Sequence, residues 1–321
     1  MVGTLLVTGV IGSFPVSADS CQRITRLGDQ PIGCFPVYHT VLAKETDPAI
    51  DDPTGGPHLA GAPSCTNPQH DELVLFLAAT GFDPTQGRPL LDLAKQHCLH
   101  VIGLGYPNAE LLFGLCTNAP DPDCFERVRL QKLDGVQRSP LLTTTPANGI
   151  ENRLLKLLRH LAATFPSEGW DRFIDGGDVH WQAVMASGHS QGGGMVAILG
   201  KVHPLARVVM LSAVPDAIGG FSGTSPAWVG KAGATPADRY YGFGHVKDQW
   251  WPVLQKNWAA LTLTQFGPVV NVDGAAAPYQ GSHMLATAIA YDTNEMLAAH
   301  KSTLRNAEMF SAVWAYMLLP A

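Results

Sequence analysis

The chain has 321 residues, of which 46% are hydrophobic and 15% charged, and a formal net charge of −6. That is enough apolar material for a sizeable core in a single domain. The mild acidity and the lack of any Lys/Arg run argue against nucleic acid or an anionic membrane surface as a partner, and beyond residue 18 no apolar stretch is long enough to span a bilayer.

Residues 1–18 are apolar (Leu5, Leu6, Val7, Val10, Ile11) and end in Val16-Ser17-Ala18 before Asp19. This small-x-small ending resembles a signal-peptidase site. The expectation is a signal peptide over residues 1–18, export to the extracellular or periplasmic space, and one domain over residues 19–321. The other reading of the segment is a buried first strand. Six cysteines, Cys21, Cys34, Cys65, Cys98, Cys116 and Cys124, form no C-x-x-C motif. Their even number is compatible with a disulfide framework, and the alternative is buried free thiols in a cytosolic protein.

Residues 21–43 are expected to supply the first strands, with Phe35, Val37, Tyr38 and Val41 as apolar candidates. Residues 44–71 are rich in Pro, Gly and Asp, show no hydrophobic period and predict surface loop. Leu73-Val74-Leu75-Phe76-Leu77 has the continuous apolar pattern of a strand buried on both faces, and it leads into Ala79-Thr80-Gly81-Phe82. A helix over 89–97 and a strand over 101–104 follow, the strand running into Tyr106-Pro107. Residues 107–149 form a long excursion carrying Cys116 and Cys124, the kind of loop that shapes a site at the carboxyl end of a parallel strand. Ile150, Leu154, Leu157, Leu158 and Leu161 recur at helical spacing and predict a helix over 150–165. Strands are expected over 183–187, 208–211 and 239–243, with loop over 217–238. A helix over 253–261 follows Pro252, whose missing N–H costs nothing at a helix start. A last strand is expected over 269–272, and residues 284–319 should be mostly helical. Strands alternating with helices imply an α/β class with a mostly parallel sheet covered on both faces.

The most informative stretch is Gly188-His189-Ser190-Gln191-Gly192, a G-x-S-x-G pentapeptide between the apolar run at 183–187 and a helix-forming segment. Strand, tight turn and helix in that order make a nucleophile elbow. The glycines let strand and helix approach, the strained turn holds the Ser190 hydroxyl clear of the backbone, and the helix start presents free N–H groups to developing negative charge. A serine needs a base to remove its proton, and the base needs an orienting carboxylate. Candidates occur in the chain order Ser, Asp, His: Asp248 closes Gly244-His245-Val246-Lys247-Asp248 after a strand, and His283 closes Gly281-Ser282-His283. Asp216, at the end of the preceding strand, competes with Asp248. His189, His245 and His300 are the histidines set aside in favour of His283.

On these motifs the chain resembles a secreted α/β-hydrolase of the esterase, lipase and cutinase group, including its polyester-degrading members. The resemblance covers roughly residues 72–285 as an order of elements. It implies an α/β-hydrolase fold without a large lid domain, and hydrolysis of carboxylic esters by Ser190, Asp248 and His283 through an acyl-enzyme. It further implies an oxyanion hole from the backbone N–H groups of Gln191 and Phe82, with Thr80 standing where related lipases carry a histidine. Phe82, Tyr106, Trp250 and Trp251 are expected to line an open substrate cleft suited to short or medium acyl or aromatic esters. In the hydrolase sheet Cys65 and Cys98 precede neighbouring parallel strands, so they are expected to pair at the non-catalytic end, leaving Cys21–Cys34 and Cys116–Cys124 as local pairs. The expected partner is a small-molecule or polymeric ester met by a monomer. No cofactor is implied, and no H-E-x-x-H or Cys/His pattern indicates a metal. The rival readings are a catalytically silent binding protein on the same fold, and a peptidase or acyltransferase on the same triad.

Overall fold

The computed structural model describes residues 21–22, 35–63, 65, 71–290 and 297–319. The predicted signal peptide and Cys34, and with it the expected Cys21–Cys34 pair, lie outside the described residues. Nine strands form one sheet: β1 (His39–Val41), β2 (His58–Gly61), β3 (Leu73–Leu77), β4 (His100–Leu104), β5 (Val184–His189), β6 (Arg207–Leu211), β7 (Tyr240–His245), β8 (Val270–Asn271) and β9 (Met284–Thr287). Their order across the sheet is β8-β9-β7-β6-β5-β3-β4-β2-β1. From β8 to β4 all neighbours are parallel, and β2 and β1 add an antiparallel edge.

The β3 sequence shows why the sheet is covered twice. Leu73, Leu75 and Leu77 point into one core and Val74 and Phe76 into the other, as the two-residue period of a strand requires. The eight helices used below are α1 (Arg88–Gln96), α2 (Leu112–Cys116), α3 (Cys124–Asp134), α4 (Ile150–Thr164), α5 (Gln191–Val202), α6 (Trp251–Ala260), α7 (Ala298–Ser302) and α8 (Ala307–Leu318). Leu154, Leu157, Leu158 and Leu161 of α4 join the first core together with Val128 of α3 and Met195 and Val196 of α5. Leu90 and Leu91 of α1 join the second, with Phe310, Trp314 and Met317 of α8. This is the α/β-hydrolase fold, and no separate lid domain interrupts it among the described residues.

Two expectations about elements are corrected. The stretch 44–71 contains β2, which lies between β4 and the edge strand β1 and whose His58-Leu59-Ala60-Gly61 is buried throughout. The strand over 269–272 shrinks to Val270–Asn271 and is not the last, because Met284–Thr287 forms β9 and inserts between β8 and β7. The short Met-Leu-Ala-Thr segment has no periodicity that separates strand from helix, and its pairing with β7 decides the matter.

Cys65 is bonded to Cys98 with Cα atoms 5.6 Å apart, at the amino ends of β3 and β4. Cys116 is bonded to Cys124, Cα atoms 5.4 Å apart, joining the end of α2 to the start of α3 within the excursion at 107–149. That excursion therefore carries two helices, α2 and α3, braced against each other.

Candidate active site

Ser190 sits between β5 and α5 with φ 55° and ψ −119°, a strained conformation for a residue with a side chain. The flanking glycines are required by distance. A Cβ on Gly188 would lie 2.5 Å from the carbonyl carbon of Gly192, and one on Gly192 would lie 2.1 Å from the Leu77 carbonyl oxygen. Strand, elbow and helix can close to this separation only with hydrogen at both positions.

Asp248 lies just beyond the carboxyl end of β7. Its Oδ1 accepts from the Trp250 backbone N–H at 3.0 Å, and its Oδ2 accepts from His300 Nδ1 at 2.7 Å. Both residues are buried, at 4% exposure each. His300 Nε2 has no hydrogen-bond partner among the described residues. Donating from Nδ1 to a carboxylate leaves that second nitrogen as a lone-pair acceptor. Ser190, Gln191, Thr80, Trp250 and His300 line one pocket of about 160 Å³.

His283 is not part of this assembly. It immediately precedes β9, so it lies at the amino end of the sheet, while Ser190 lies past the carboxyl end of β5. The two ends are separated by the length of a strand, roughly 15–20 Å at about 3.3 Å per residue. The His283 ring is stacked between Tyr241 (centroids 4.0 Å) and Phe266 (4.2 Å), its Nδ1 is 3.0 Å from the Tyr240 carbonyl oxygen, and burial pushes its pKa down. The G-S-H turn leads directly into β9, which is why its histidine lies at the amino end of the sheet. A strand read at 284–287 would have made His300 the next histidine in the order Ser, Asp, His.

Asp216 is committed elsewhere. It is fully buried, paired with the Arg129 guanidinium through Nε to Oδ2 at 2.7 Å, and accepts from Trp228 Nε1 at 3.2 Å. Arg129 in turn donates from Nη1 to the Gln191 carbonyl at 3.2 Å, beneath the elbow helix. His245 reaches the Ile289 carbonyl through Nε2, away from the elbow.

The loop after β3 differs from expectation in its free donors. The Phe82 N–H bonds the Ala79 carbonyl at 3.1 Å, the Gly81 N–H bonds the Asn108 carbonyl at 3.0 Å, and the Ala79 N–H bonds Gln86 Oε1 at 2.9 Å. Thr80 is the residue of this turn whose backbone N–H remains unengaged among the described residues, and its hydroxyl is buried without a partner. Gln191 opens α5, where the first amides lack intrahelical acceptors.

Of the four aromatic residues expected at the cleft, Phe82 and Trp250 line the pocket. Phe82 is 41% exposed at its edge, and the Trp250 ring lies 4.6 Å from that of His300. Tyr106 is fully buried behind the turn, its hydroxyl donating to the Ala78 carbonyl at 2.7 Å. Trp251 packs edge-on against Trp258 at 5.6 Å, below the cleft. Phe113 and Phe221, absent from the sequence reading, stack at 5.1 Å and meet Trp250 edge-on, so that an aromatic wall borders the pocket. A wider cleft of about 570 Å³ adjoins it and shares Phe82 and Lys301. Among the described residues no group of His, Cys, Asp and Glu could hold a metal ion.

No protein-family model matches the chain, and no curated protein matches it. Solved structures that it resembles include a 2,6-dihydroxy-pseudo-oxynicotine hydrolase, at 13% identity over 88% of this chain and 67% of that one, with a TM-score of 0.38. Another is a putative dienelactone hydrolase from Klebsiella pneumoniae subsp. pneumoniae, at 12% identity over 87% and 97% and a TM-score of 0.36. A third is Thermogutta terrifontis esterase 2, at 12% identity over 88% and 97% and a TM-score of 0.39. Likenesses at this level carry no argument about this chain.

Proposed function

We propose that this chain is a serine hydrolase that cleaves carboxylic esters with Ser190 as nucleophile, His300 as base and Asp248 as the orienting acid. The observation that carries this reading is the 2.7 Å bond from His300 Nδ1 to Asp248, with the unpartnered Nε2 in the pocket that Ser190 also lines. Ser190 Oγ attacks the ester carbonyl carbon while His300 Nε2 takes its proton, and Asp248 stabilises the resulting imidazolium. The oxyanion is met by the backbone N–H groups of Gln191 and Thr80, a change from the Phe82 expected on sequence. Collapse breaks the C–O bond, with His300 returning its proton to the leaving alcohol. Water, deprotonated by His300, then releases the acid from the acyl-enzyme.

The small pocket, about 160 Å³, suits a short acyl group, and the aromatic wall of Phe113, Phe221 and Trp250 suits an apolar or aromatic one. The adjoining open cleft has room for a larger alcohol portion. Exposed Phe82, Leu111 and Phe221 stand at this face, which keeps a cutinase-like or polyester substrate within the proposal. Two disulfides fit an oxidising compartment and hence export. Labelling with a fluorophosphonate, which modifies only an activated serine, followed by hydrolysis of a p-nitrophenyl ester series, tests the reading. Labelling at Ser190 and preference for short chains are expected. No labelling would favour the silent binding protein, and labelling with turnover of amides alone would favour a peptidase.

A further inference from the structure

His189, the variable residue of the G-x-S-x-G pentapeptide, takes no part in the chemistry above, yet it is buried beside the pocket that Ser190 and His300 line. Its hydrogen bonds have only one consistent assignment. The Ala79 backbone N–H must donate to Gln86, so the Gln86 oxygen faces Ala79 (2.9 Å) and its NH₂ faces His189 Nδ1 (3.2 Å). His189 Nδ1 is then an acceptor, and Nε2 carries the hydrogen and donates to the His300 carbonyl at 2.9 Å. The two imidazole rings lie 5.1 Å apart. The hydrogen-bond chain therefore runs from Ala79, next to the oxyanion donor Thr80, through Gln86 and His189 to the backbone of His300, whose side chain continues it to Asp248.

We infer that His189 is a positioning residue that holds the loop bearing the base and the loop bearing the oxyanion donor in register with the nucleophile. His300 needs such support, because α7 is only five residues long and begins after Leu297 at φ 67°. Ser212 Oγ supplies a second bond to the same His300 carbonyl at 2.7 Å, from the end of β6. His189 is on the elbow itself, so the nucleophile, the base and the oxyanion loop share one rigid reference. A misplacement of the base by about 1 Å costs on the order of 10²-fold in rate, so loss of the link should appear in turnover more than in substrate binding.

The inference rests on the proposed serine-hydrolase reading, and the full chain acting on p-nitrophenyl acetate separates the two. Ser190→Ala reports on the reading itself: turnover persisting in that variant would remove both. With Ser190→Ala inactive, His189→Leu is expected to lower kcat by about 10–100-fold with KM changed by less than about threefold. His189→Gln, which can still donate to the His300 carbonyl, should recover most of the loss. Gln86→Leu should also lower kcat, and combining it with His189→Leu should cost no more than His189→Leu alone, since both cut one chain. The downfield proton resonance of the Asp248–His300 bond should broaden in His189→Leu and sharpen again in His189→Gln. Turnover of His189→Leu within about threefold of the parent, a loss confined to KM, a Gln variant no better than the Leu variant, or multiplicative effects of the two sites would each overturn the inference. If His189→Leu does not fold, Gln86→Leu decides alone by the same kcat and resonance criteria.

Discussion

Asp248 and His300, 52 residues apart in sequence, are joined by a 2.7 Å hydrogen bond between Oδ2 and Nδ1 in a setting closed to solvent. A carboxylate so placed fixes the imidazole tautomer and stabilises its charged form. Asp248→Asn is expected to reduce kcat by on the order of 10⁴-fold, and His300→Ala by at least as much, because the triad acts as a unit. His283→Ala should leave kcat within about threefold, while its lost packing between Tyr241 and Phe266 lowers the melting temperature. Steady-state kinetics with a p-nitrophenyl ester and thermal melts of the three variants check this. A crippled His283→Ala beside an active His300→Ala would reverse the assignment.

Arg129 and Asp216 form a fully buried ion pair under the elbow helix. Removing one partner leaves the other charged and dry, so Arg129→Met should cost about 3–5 kcal/mol of stability. The double variant Arg129→Met, Asp216→Leu should be more stable than either single one. Urea titration of the three proteins measures it, and a double variant no better than the singles would show that the pair's hydrogen bonds to Gln191 and Trp228 matter more than its charges.

Gly192 touches the backbone of β3, and neither neighbour is a side chain that can swing away. Gly192→Ala should therefore destabilise the protein by about 1–3 kcal/mol and displace the elbow. Turnover should fall together with fluorophosphonate labelling. Unchanged labelling with normal stability would mean that β3 and α5 can separate without cost.

Acid should weaken the fold through its buried histidines. Burial pushes His58 and His189 down to about 3, from an ordinary value of 6.5, with the charge of Arg153 adding to the effect at His58 and that of His300 at His189. Between pH 6.5 and 3 the unfolded chain binds protons that the native chain refuses, so stability falls as the pH drops through this window and is unaffected by these two sites above it. Melting temperatures recorded from pH 8 to 4.5 should decline below about pH 6.5. His58→Asn, which keeps an acceptor for the Gly105 N–H that bonds His58 Nδ1 at 3.0 Å, should flatten that decline. An equal slope in the variant would count against His58 as a contributor.

The parts of this protein legible in its sequence are those encoded over a few residues. The apolar runs of β3, β4, β5 and β6 announce buried parallel strands, the leucine spacing of α4 announces its helix, and the pentapeptide around Ser190 announces the elbow, because each is a local pattern that one conformation satisfies. The pairing of Cys65 with Cys98, implied by the resemblance to the hydrolase sheet, is present because both cysteines precede strands that are neighbours.

The parts decided by tertiary structure are those in which several elements compete for one place. Met284–Thr287 became a strand because the edge of β7 was open to it, and that insertion sent His283 to the amino end of the sheet and His300 to Asp248. Thr80 kept its N–H free because Gln86, Asn108 and Ala79 engaged those around it. Asp216 met Arg129 from the excursion at 107–149, which left Asp248 to the histidine. Sequence alone determined that a serine stands at a strained turn on a parallel sheet, because backbone sterics act between near neighbours. Which histidine meets Asp248 and which amide of the loop after β3 stays unengaged depended on how strands pair and which polar groups are left over, and those are properties of the whole packed chain.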